Sequence, residues 1–332
     1  MLERSFICIA YIALTALMAA NSHAAALENA RQSTLTRYEY TEYHMGVDVH
    51  IIVYTQSKSK AEKACAAAFE RFAQLDTIMS DYQDKSELNR LCERAGGPPV
   101  KVSRELFRVL QRSQLLAQQS DGGFDITCSP IVKLWRIARK THVLPTRGQL
   151  DAACAVVGYR YMKLDPENQT VELTLPGMKL DLGAIGKGYA DDLAQEVLRR
   201  HGIKSALVEA GGDIVVTDPP PGEVGWKIQS EVKADNLPGA DPANPLLMRV
   251  HNCGVSTSGD TEQFVEIGGK RYSHVVDPRT GDALTNRLAI LVIARDGLTS
   301  DGVSTAVSVV GEEKGRALVK QYRGARVWIG HD

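Results

Sequence analysis

The sequence KLDLGAIGKGYA at residues 179–190 decides how the middle of the chain folds. The apolar alternation over residues 178–182 predicts a short strand, and the glycines that follow predict a turn that opens a helix. Glycine lets the backbone approach a ligand closely, and the free N–H groups at a helix N-terminus attract an anion. Lys187 adds a positive charge at the same place. The spacing matches neither the Walker loop nor the dinucleotide-binding fingerprint, so an anion-binding turn and a ligand-free strand–helix turn are equally good interpretations.

On both sides of this stretch, strands and helices are mixed without the strict alternation of a parallel α/β fold. Apolar residues at every second position predict strand structure within residues 38–55. Apolar residues at helical spacing predict helices after a capping box at Ser59, over Ser103–Ser120, from Thr146 to about Val157, from the glycine turn to about Gly202, and from near Asp301. The pattern predicts an α+β fold with antiparallel strand pairing.

Length and composition narrow the possible functions. The chain has 332 residues, a formal net charge of −1 and an apolar content of 44%. This length suits one large domain or two closely packed ones. Nonspecific nucleic-acid binding needs a basic face that neutralises phosphates, so the near-neutral balance argues against it. No Cys-x-x-Cys pair occurs, which leaves zinc binding and thioredoxin-like chemistry without support.

Residues 1–24 are predicted to be a secretory signal peptide. An apolar run spans residues 6–20, and the small residues Ser22 and Ala24 precede the predicted cleavage point after Ala24. The run is shorter than the roughly 20 residues that a membrane helix needs, so an uncleaved anchor is the weaker alternative. No cysteine follows the run where a lipoprotein would be acylated. We therefore expect a periplasmic or otherwise exported protein that does not itself span the membrane.

The segment SHVVDPRTG at residues 273–281 places a histidine, an aspartate and an arginine around a Pro/Gly turn. His274 can act as a base or as a hydrogen-bond donor near neutral pH. Arg279 suits a phosphate group. The alternative interpretation is a polar turn stabilised by a salt bridge between Asp277 and Arg279.

The segment TSDGVSTA at residues 299–306 carries a carboxylate and a hydroxyl four positions apart. On a helix, Asp301 and Thr305 share one face, and together they can bind a hard cation that prefers oxygen ligands. The alternative is that Ser300 or Asp301 caps the start of the helix.

The segment SDGGFDIT at residues 120–127 predicts a helix that ends at a glycine, followed by a strand. An aromatic residue beside glycines, here Phe124, can lie against a ring-shaped ligand. A phenylalanine that belongs to the core after a turn is the commoner alternative.

The order and spacing of these segments resemble the ApbE family, whose members are FAD:protein FMN transferases. The resemblance rests on the four segments above, together with EAGGD at 209–213 and STSGD at 256–260. It extends into the amino-terminal half through Met45 and Gly46, through SDY at 80–82, and through Pro130 and Trp135. It covers roughly residues 38–330, which is nearly the whole chain after the signal peptide.

The resemblance implies a single α+β domain over residues 30–332, built of two entwined α/β halves with FAD in the cleft between them. By motif position, Asp301, Thr305 and the backbone carbonyl of Ala184 would hold Mg²⁺. The residues implied to contact FAD are Met45, Tyr82, Gly123, Phe124, Asp125, Asp181, Lys187 and Val275. His274 matches the catalytically important histidine of the family, and whether it acts as the general base is left open.

The implied reaction is Mg²⁺-dependent transfer of FMN from FAD to a threonine hydroxyl of an acceptor flavoprotein, with release of AMP. Oxygen ligands without a Cys/His cluster favour Mg²⁺ over zinc. The implied acceptors are subunits of Rnf- or Nqr-type electron-transport complexes, or exported flavoproteins, that carry a threonine flavinylation segment. Two alternatives stay open: an FAD pyrophosphatase, in which water replaces the threonine, and a non-catalytic FAD-binding protein.

Overall fold

The structure, a computed structural model, describes residues 35–230, 232, 236–240, 243–259 and 264–331. The predicted signal peptide and Asp260 of the STSGD segment lie outside the described residues. The strands are β1 Thr36–His44, β2 Val47–Thr55, β3 Val100–Lys101, β4 Met162–Asp165, β5 Thr170–Leu173, β6 Ser205–Ala210, β7 Asp213–Val216, β8 Trp226–Gln229, β9 Leu247–Val250, β10 Cys253–Ser258, β11 Phe264–Ile267, β12 Lys270–Ser273, β13 Leu288–Ala294 and β14 Arg326–His331.

The α-helices of the described residues are α1 Lys58–Met79, α2 Glu87–Glu93, α3 Arg104–Gln119, α4 Ser129–Thr141, α5 Arg147–Cys154, α6 Gly186–Arg200, α7 Gly297–Val310 and α8 Glu312–Val319. Ser57, rather than the predicted Ser59, caps α1, because its side chain accepts the N–H of Lys60 at 3.3 Å. The predicted capping box at Thr146 is confirmed, with Gln149 as its partner.

The predicted alternation over residues 38–55 corresponds to a β-hairpin. β1 pairs with β2 along its full length, from Thr36 opposite Thr55 to His44 opposite Val47. Met45 and Gly46 form the turn, with φ angles of 50° and 84°. Positive φ at both central residues matches the right-handed twist of the flanking strands.

A seven-stranded sheet with the order β1-β2-β6-β7-β10-β13-β14 forms the centre of the fold, and each neighbouring pair is antiparallel. One core cluster joins this sheet to α1, α3, α6 and α7. A second core cluster joins the sheet to β8 and β9. A third, around Trp135, joins α4 and α5 to the turn after β12. The predicted α+β class with antiparallel pairing is confirmed.

The strand predicted at residues 178–182 does not form. Lys179 makes one isolated parallel bridge with Cys128, and the backbone N–H groups around it have partners that are not strands. Asp181 donates its N–H to the carbonyl of Ile126 at 2.8 Å, and the Leu180 N–H points to the sulfur of Cys92 at 3.3 Å. The segment therefore lies between the loop that contains Ile126 and helix α2, and local alternation alone could not reveal this.

Helices α6 and α7 cross in direct backbone contact. A Cβ atom placed on Gly188 would lie 2.2 Å from the carbonyl oxygen of Gly297, and one placed on Gly297 would lie 2.4 Å from the carbonyl oxygen of Gly188. Only glycine permits this approach at either position. The crossing holds the N-terminal turn of α6 against the helix that carries Asp301.

No helix among the described ranges is long and apolar enough to cross a membrane.

Two adjacent aspartates on α6, the buried Asp191 and the half-buried Asp192, differ in their surroundings. The side chain of Asp191 is fully buried, and neither carboxylate oxygen has a hydrogen-bond partner. Asp192 accepts the N–H groups of Gly297 and Leu298 at 2.7 and 2.9 Å. Burial raises the pKa of both carboxyl groups, that of Asp192 to about 7. A buried polar group without a partner costs about 1–3 kcal/mol, whereas a carboxylate that accepts two amides stabilises the fold.

We expect Asp191→Val to raise the free energy of unfolding by about 1 kcal/mol or more, because it removes the unpartnered carboxyl. Asp192→Val is the matched control, and it should lower that free energy by about 1–3 kcal/mol because two amides lose their acceptor. Since the pKa of Asp191 is raised on folding, the folded wild type binds more protons than the unfolded chain, and its stability falls as pH rises from about 4. The advantage of Asp191→Val should therefore grow with pH. Urea denaturation at several pH values measures both effects, and equal losses in the two variants would contradict this account.

Candidate functional site

A cleft of about 710 Å³ lies between the β6–β7 turn, the N-terminal turn of α6, one face of α7, the loop after α3, and α4. Eleven of the residues predicted for the site line this cleft: Tyr82, Gly123, Phe124, Asp125, Asp181, Ala184, Lys187, His274, Val275, Asp301 and Thr305. They come from segments far apart in sequence, so the fold itself assembles the site.

Met45 is the predicted site residue that does not line the cleft. It lies in the β1–β2 turn and packs against the main core cluster. Its Cε lies 3.7 Å from the position that a Cβ on Gly186 would occupy. In this structure Met45 therefore supports the start of α6, and its contact with FAD stays a prediction.

Lys187 lies in the first turn of α6, where the glycine-rich segment places it beside Asp213 on β7. The Lys187 ammonium and the Asp213 carboxylate form a close ion pair. Burial alone would lower the pKa of Lys187, but the carboxyls of Asp213 and Asp301 more than offset this and raise it. The lysine is therefore a fixed positive charge, and much of its charge is already balanced within the protein.

Asp301 and Thr305 lie on the face of α7 that borders the cleft. Asp296, not Ser300 or Asp301, caps this helix by accepting the N–H of Thr299 at 2.8 Å. Asp301 is therefore in the second turn, and its side chain is free of a capping role. Its Oδ2 accepts the N–H of Gly188 at 3.1 Å. Burial first, and Asp213 second, raise its pKa to about 7.

The donor set around Asp301 fits a hard divalent cation. A carboxylate, a hydroxyl and the backbone of Ala184 border one cleft, and all three offer oxygen, which Mg²⁺ prefers. A cation beside Asp301 would also relieve the cost of burying that carboxylate close to Asp213. No cluster of three or more His, Cys, Asp or Glu side chains suited to a metal occurs in the described ranges, and the predicted ligand set contains one such side chain.

His274 follows β12 and lines the cleft. Its charged neighbours in sequence, Asp277 and Arg279, instead form a salt bridge with each other. Arg279 donates two hydrogen bonds to the carboxylate of Asp277, at 2.8 and 2.7 Å. The salt-bridged turn, which was the alternative interpretation of this segment, is therefore correct for Asp277 and Arg279. This salt bridge lies within the turn, and His274 itself lines the cleft.

The segment after α3 forms a buried loop instead of the predicted strand. Asp125 accepts the N–H and the hydroxyl of Thr127 at 2.9 and 2.7 Å, and the N–H of Tyr159 at 2.6 Å. These bonds stabilise a turn and join the loop to Tyr159, while the carbonyl of Ile126 accepts the N–H of Asp181. Phe124 is 2% exposed and belongs to the main core cluster, yet it also borders the cleft. Both interpretations of this phenylalanine therefore hold in part.

A charged cluster at the mouth of the cleft includes residues that the sequence did not reveal. Arg136 on α4 forms ion pairs with Asp81 and Asp181, and its guanidinium lies 4.7 Å above the ring of Tyr82. Burial raises the pKa of Asp181, and Asp81 adds to this effect while Arg136 opposes it. Tyr82 is 75% exposed, so an aromatic ring stands open at the entrance.

Sequence reasoning missed α4, and with it Arg136 and Arg139, both of which line the cleft. The signal was present in the spacing of the buried residues Ile131, Trp135 and Ala138, which recur at i, i+4 and i+7 behind Pro130 in the first turn. In the sequence, Asp213 stands out only as part of a glycine-rich turn, and nothing there indicates its ion pair with Lys187.

The class of protein follows from comparison with known families. The model of the ApbE family matches residues 45–329, which include the glycine turn, the His274 segment and the Asp301 segment. The chain belongs to the ApbE family, and the resemblance seen in its sequence is confirmed.

Individual relatives agree with this assignment. An FAD:protein FMN transferase of Klebsiella pneumoniae is 32% identical over 287 residues, covering 86% of each chain. One of Treponema pallidum is 32% identical over 306 residues, covering 88% of this chain and 84% of the relative. The solved structure of the flavin transferase ApbE from Vibrio cholerae matches with a TM-score of 0.77 and 26% identity, covering 89% of this chain and 93% of that one. The roles of the individual lining residues stay predictions.

Proposed function

We propose that this protein transfers FMN from FAD to a threonine hydroxyl of an acceptor protein in a Mg²⁺-dependent reaction that releases AMP. The observation that carries the proposal is the meeting, in one cleft, of the α6 N-terminal turn, the Asp301–Thr305 face of α7 and His274. The curated relatives named FAD:protein FMN transferase support the flavin-transfer part of the proposal.

The reaction requires alignment and charge neutralisation. The threonine oxygen forms a bond to the phosphorus on the FMN side of the diphosphate, the bond to the AMP oxygen breaks, and the hydroxyl proton leaves to a base. Mg²⁺, when bound by Asp301, Thr305 and the Ala184 carbonyl, would neutralise diphosphate charge. Lys187, in the first turn of α6, would supply a positive charge to the phosphate oxygens. His274 borders the same cleft and is our candidate for the residue that accepts the proton.

Two other functions use the same cleft. An FAD pyrophosphatase would admit water in place of threonine, and a flavin-binding protein would need no cation. The buried carboxyl of Asp301 favours an enzyme over a binding protein, because FAD is itself an anion and a buried carboxylate without a cation would repel it.

Product analysis separates these three functions. The mature protein is incubated with FAD and Mg²⁺, with and without an acceptor domain that carries a threonine flavinylation segment, and AMP and FMN are separated by chromatography. We expect AMP to appear with the acceptor and no matching free FMN, and EDTA to stop its release. Equal amounts of AMP and free FMN would instead identify a pyrophosphatase, and unchanged FAD under all conditions would leave only binding.

We also propose that the protein acts after export. The support is the apolar run at residues 6–20 and the small residues before position 25. Its acceptors would then be exported flavoproteins or Rnf- and Nqr-type subunits with segments exposed on the same side of the membrane. The intact mass of the protein recovered from the periplasm tests the proposal, since cleavage after Ala24 leaves Ala25 as the first residue.

A further inference from the structure

The side chains that line the cleft include more carboxyl groups than cationic groups. Among the described lining residues, three side chains are cationic and five carry carboxyl groups: Arg136, Arg139 and Lys187 against Asp125, Asp181, Glu209, Asp213 and Asp301. Arg136 is paired with Asp81 and Asp181, and Lys187 is paired with Asp213. Arg139 makes no hydrogen bond and no ion pair within the described part of the chain, and its Nη1 is buried without a partner.

The guanidinium of Arg139, which has no partner in the described residues, favours the binding of an anion at this position. Its Nη1 loses water on burial without gaining an acceptor, and Arg136, three residues earlier on α4, adds a like charge. Both effects lower the pKa of Arg139, although arginine keeps its charge at any physiological pH. The aligned donors of a guanidinium match the oxygens of a phosphate group, which they can bind in pairs.

We propose that Arg139 is a substrate-binding residue of this cleft and that it binds a phosphate group of the dinucleotide. The inference rests on the proposed function, because it takes FAD as the molecule in the cleft. The cleft is rich in carboxyl groups, and its other two cations already have carboxylate partners. A diphosphate that enters it therefore finds in Arg139 the cation whose charge is not yet balanced. The acidic lining would otherwise repel the substrate.

The position of Arg139 suits a role in selectivity. It lies on the same helix as Arg136, whose guanidinium stacks on Tyr82 at the mouth of the cleft. Arg139 therefore lines the same cleft as the exposed ring of Tyr82. We expect the arginine to distinguish nucleotides that carry phosphate from flavins or nucleosides that lack it.

Equilibrium binding without turnover tests the proposal. Dissociation constants for FAD, ADP, riboflavin and adenosine are measured by calorimetry in the presence of EDTA, for the wild type and for Arg139→Gln, Arg139→Lys and Lys140→Gln. Lys140 is the matched control, because it is an exposed cation on the same helix, next in sequence, and does not line the cleft. For Arg139→Gln we expect affinity for FAD and ADP to fall about 10-fold or more, with affinity for riboflavin and adenosine unchanged. Arg139→Lys should restore part of the loss, and Lys140→Gln should resemble the wild type.

Thermal unfolding separates binding from a structural role. Without ligand, Arg139→Gln should unfold at the wild-type temperature or above it, because it removes a half-buried cation whose Nη1 has no partner. The stabilisation that ADP gives the wild type should be reduced in this variant. Unchanged FAD and ADP affinity, or an equal loss for riboflavin and adenosine, would overturn the inference alone. A wild type that binds no FAD would instead overturn the proposed function, and the inference with it.

Discussion

Asp301→Asn is expected to lower Mg²⁺-dependent FMN transfer by about 1,000-fold while the protein stays folded. A bound cation supplies several kcal/mol of charge stabilisation in such reactions, and each 1.4 kcal/mol corresponds to a tenfold change in rate. Asparagine retains an oxygen that can accept the N–H of Gly188, now accepted by Oδ2 of Asp301 at 3.1 Å. It also removes a carboxylate that is buried close to Asp213. The substitution should therefore weaken cation binding and slow catalysis, while the unfolding temperature should change little.

The measurement is the rate of FAD consumption with acceptor across a range of Mg²⁺ concentrations. Ser304→Ala is the matched control, because Ser304 also lines the cleft from α7 but donates its hydroxyl hydrogen to the Asp301 carbonyl at 2.8 Å. That variant should keep a rate close to that of the wild type. If Asp301→Asn transferred FMN at the wild-type rate with the same Mg²⁺ dependence, the assignment of Asp301 as a metal ligand would be wrong.

Gly188→Ala is expected to disrupt both the fold and the site. The added Cβ would lie 2.2 Å from the carbonyl oxygen of Gly297 and 2.8 Å from the Cβ of Asp301, so backbone rather than a flexible side chain would have to move. Overpacking costs about 1–3 kcal/mol where side chains can adjust, and we expect about 3 kcal/mol or more here. Separation of α6 from α7 would also move Asp301 away from Ala184 and Lys187, so activity should fall further than stability alone explains.

Thermal unfolding and the transfer assay measure this effect. The control is Gly148→Ala in the first turn of α5, where an added Cβ meets no atom within 4 Å. Alanine at that position should be neutral or should stabilise by up to about 1 kcal/mol, because glycine is the poorer helix former. We expect Gly188→Ala to unfold roughly 6 °C or more below the wild type. Matching unfolding temperatures for the two variants would show that the crossing of α6 and α7 tolerates a side chain.

The sequence predicted the α+β class, the family and most of the helices, because each depends on local periodicity or on ordered motifs. The helices predicted over Ser103–Ser120 and after Thr146 are present with the expected serine and threonine caps. The strand predicted at 178–182 is absent, because its backbone N–H groups bond to the carbonyl of Ile126 in the loop after α3 and to the sulfur of Cys92 in α2. Hydrogen bonds of this kind depend on tertiary structure, which periodicity does not record.

The same limit applies to the site. Eleven of the predicted residues border one cleft, since short motifs keep their residues close to a turn or on one helix face. Sequence could not show which charges are paired. Lys187 with Asp213 and Arg136 with Asp181 are contacts across 26 and 45 positions. The unpartnered state of Arg139 and of Asp191 depends on the same long-range packing.

The most direct test of the central claim is the intact mass of an acceptor domain after incubation with the mature protein, FAD and Mg²⁺. The account predicts a mass gain equal to one FMN group that requires Mg²⁺, maps to the threonine of the flavinylation segment, and disappears when that threonine is replaced by valine. An acceptor of unchanged mass, while FAD is fully converted to free FMN and AMP, would contradict the transferase and leave a pyrophosphatase in its place.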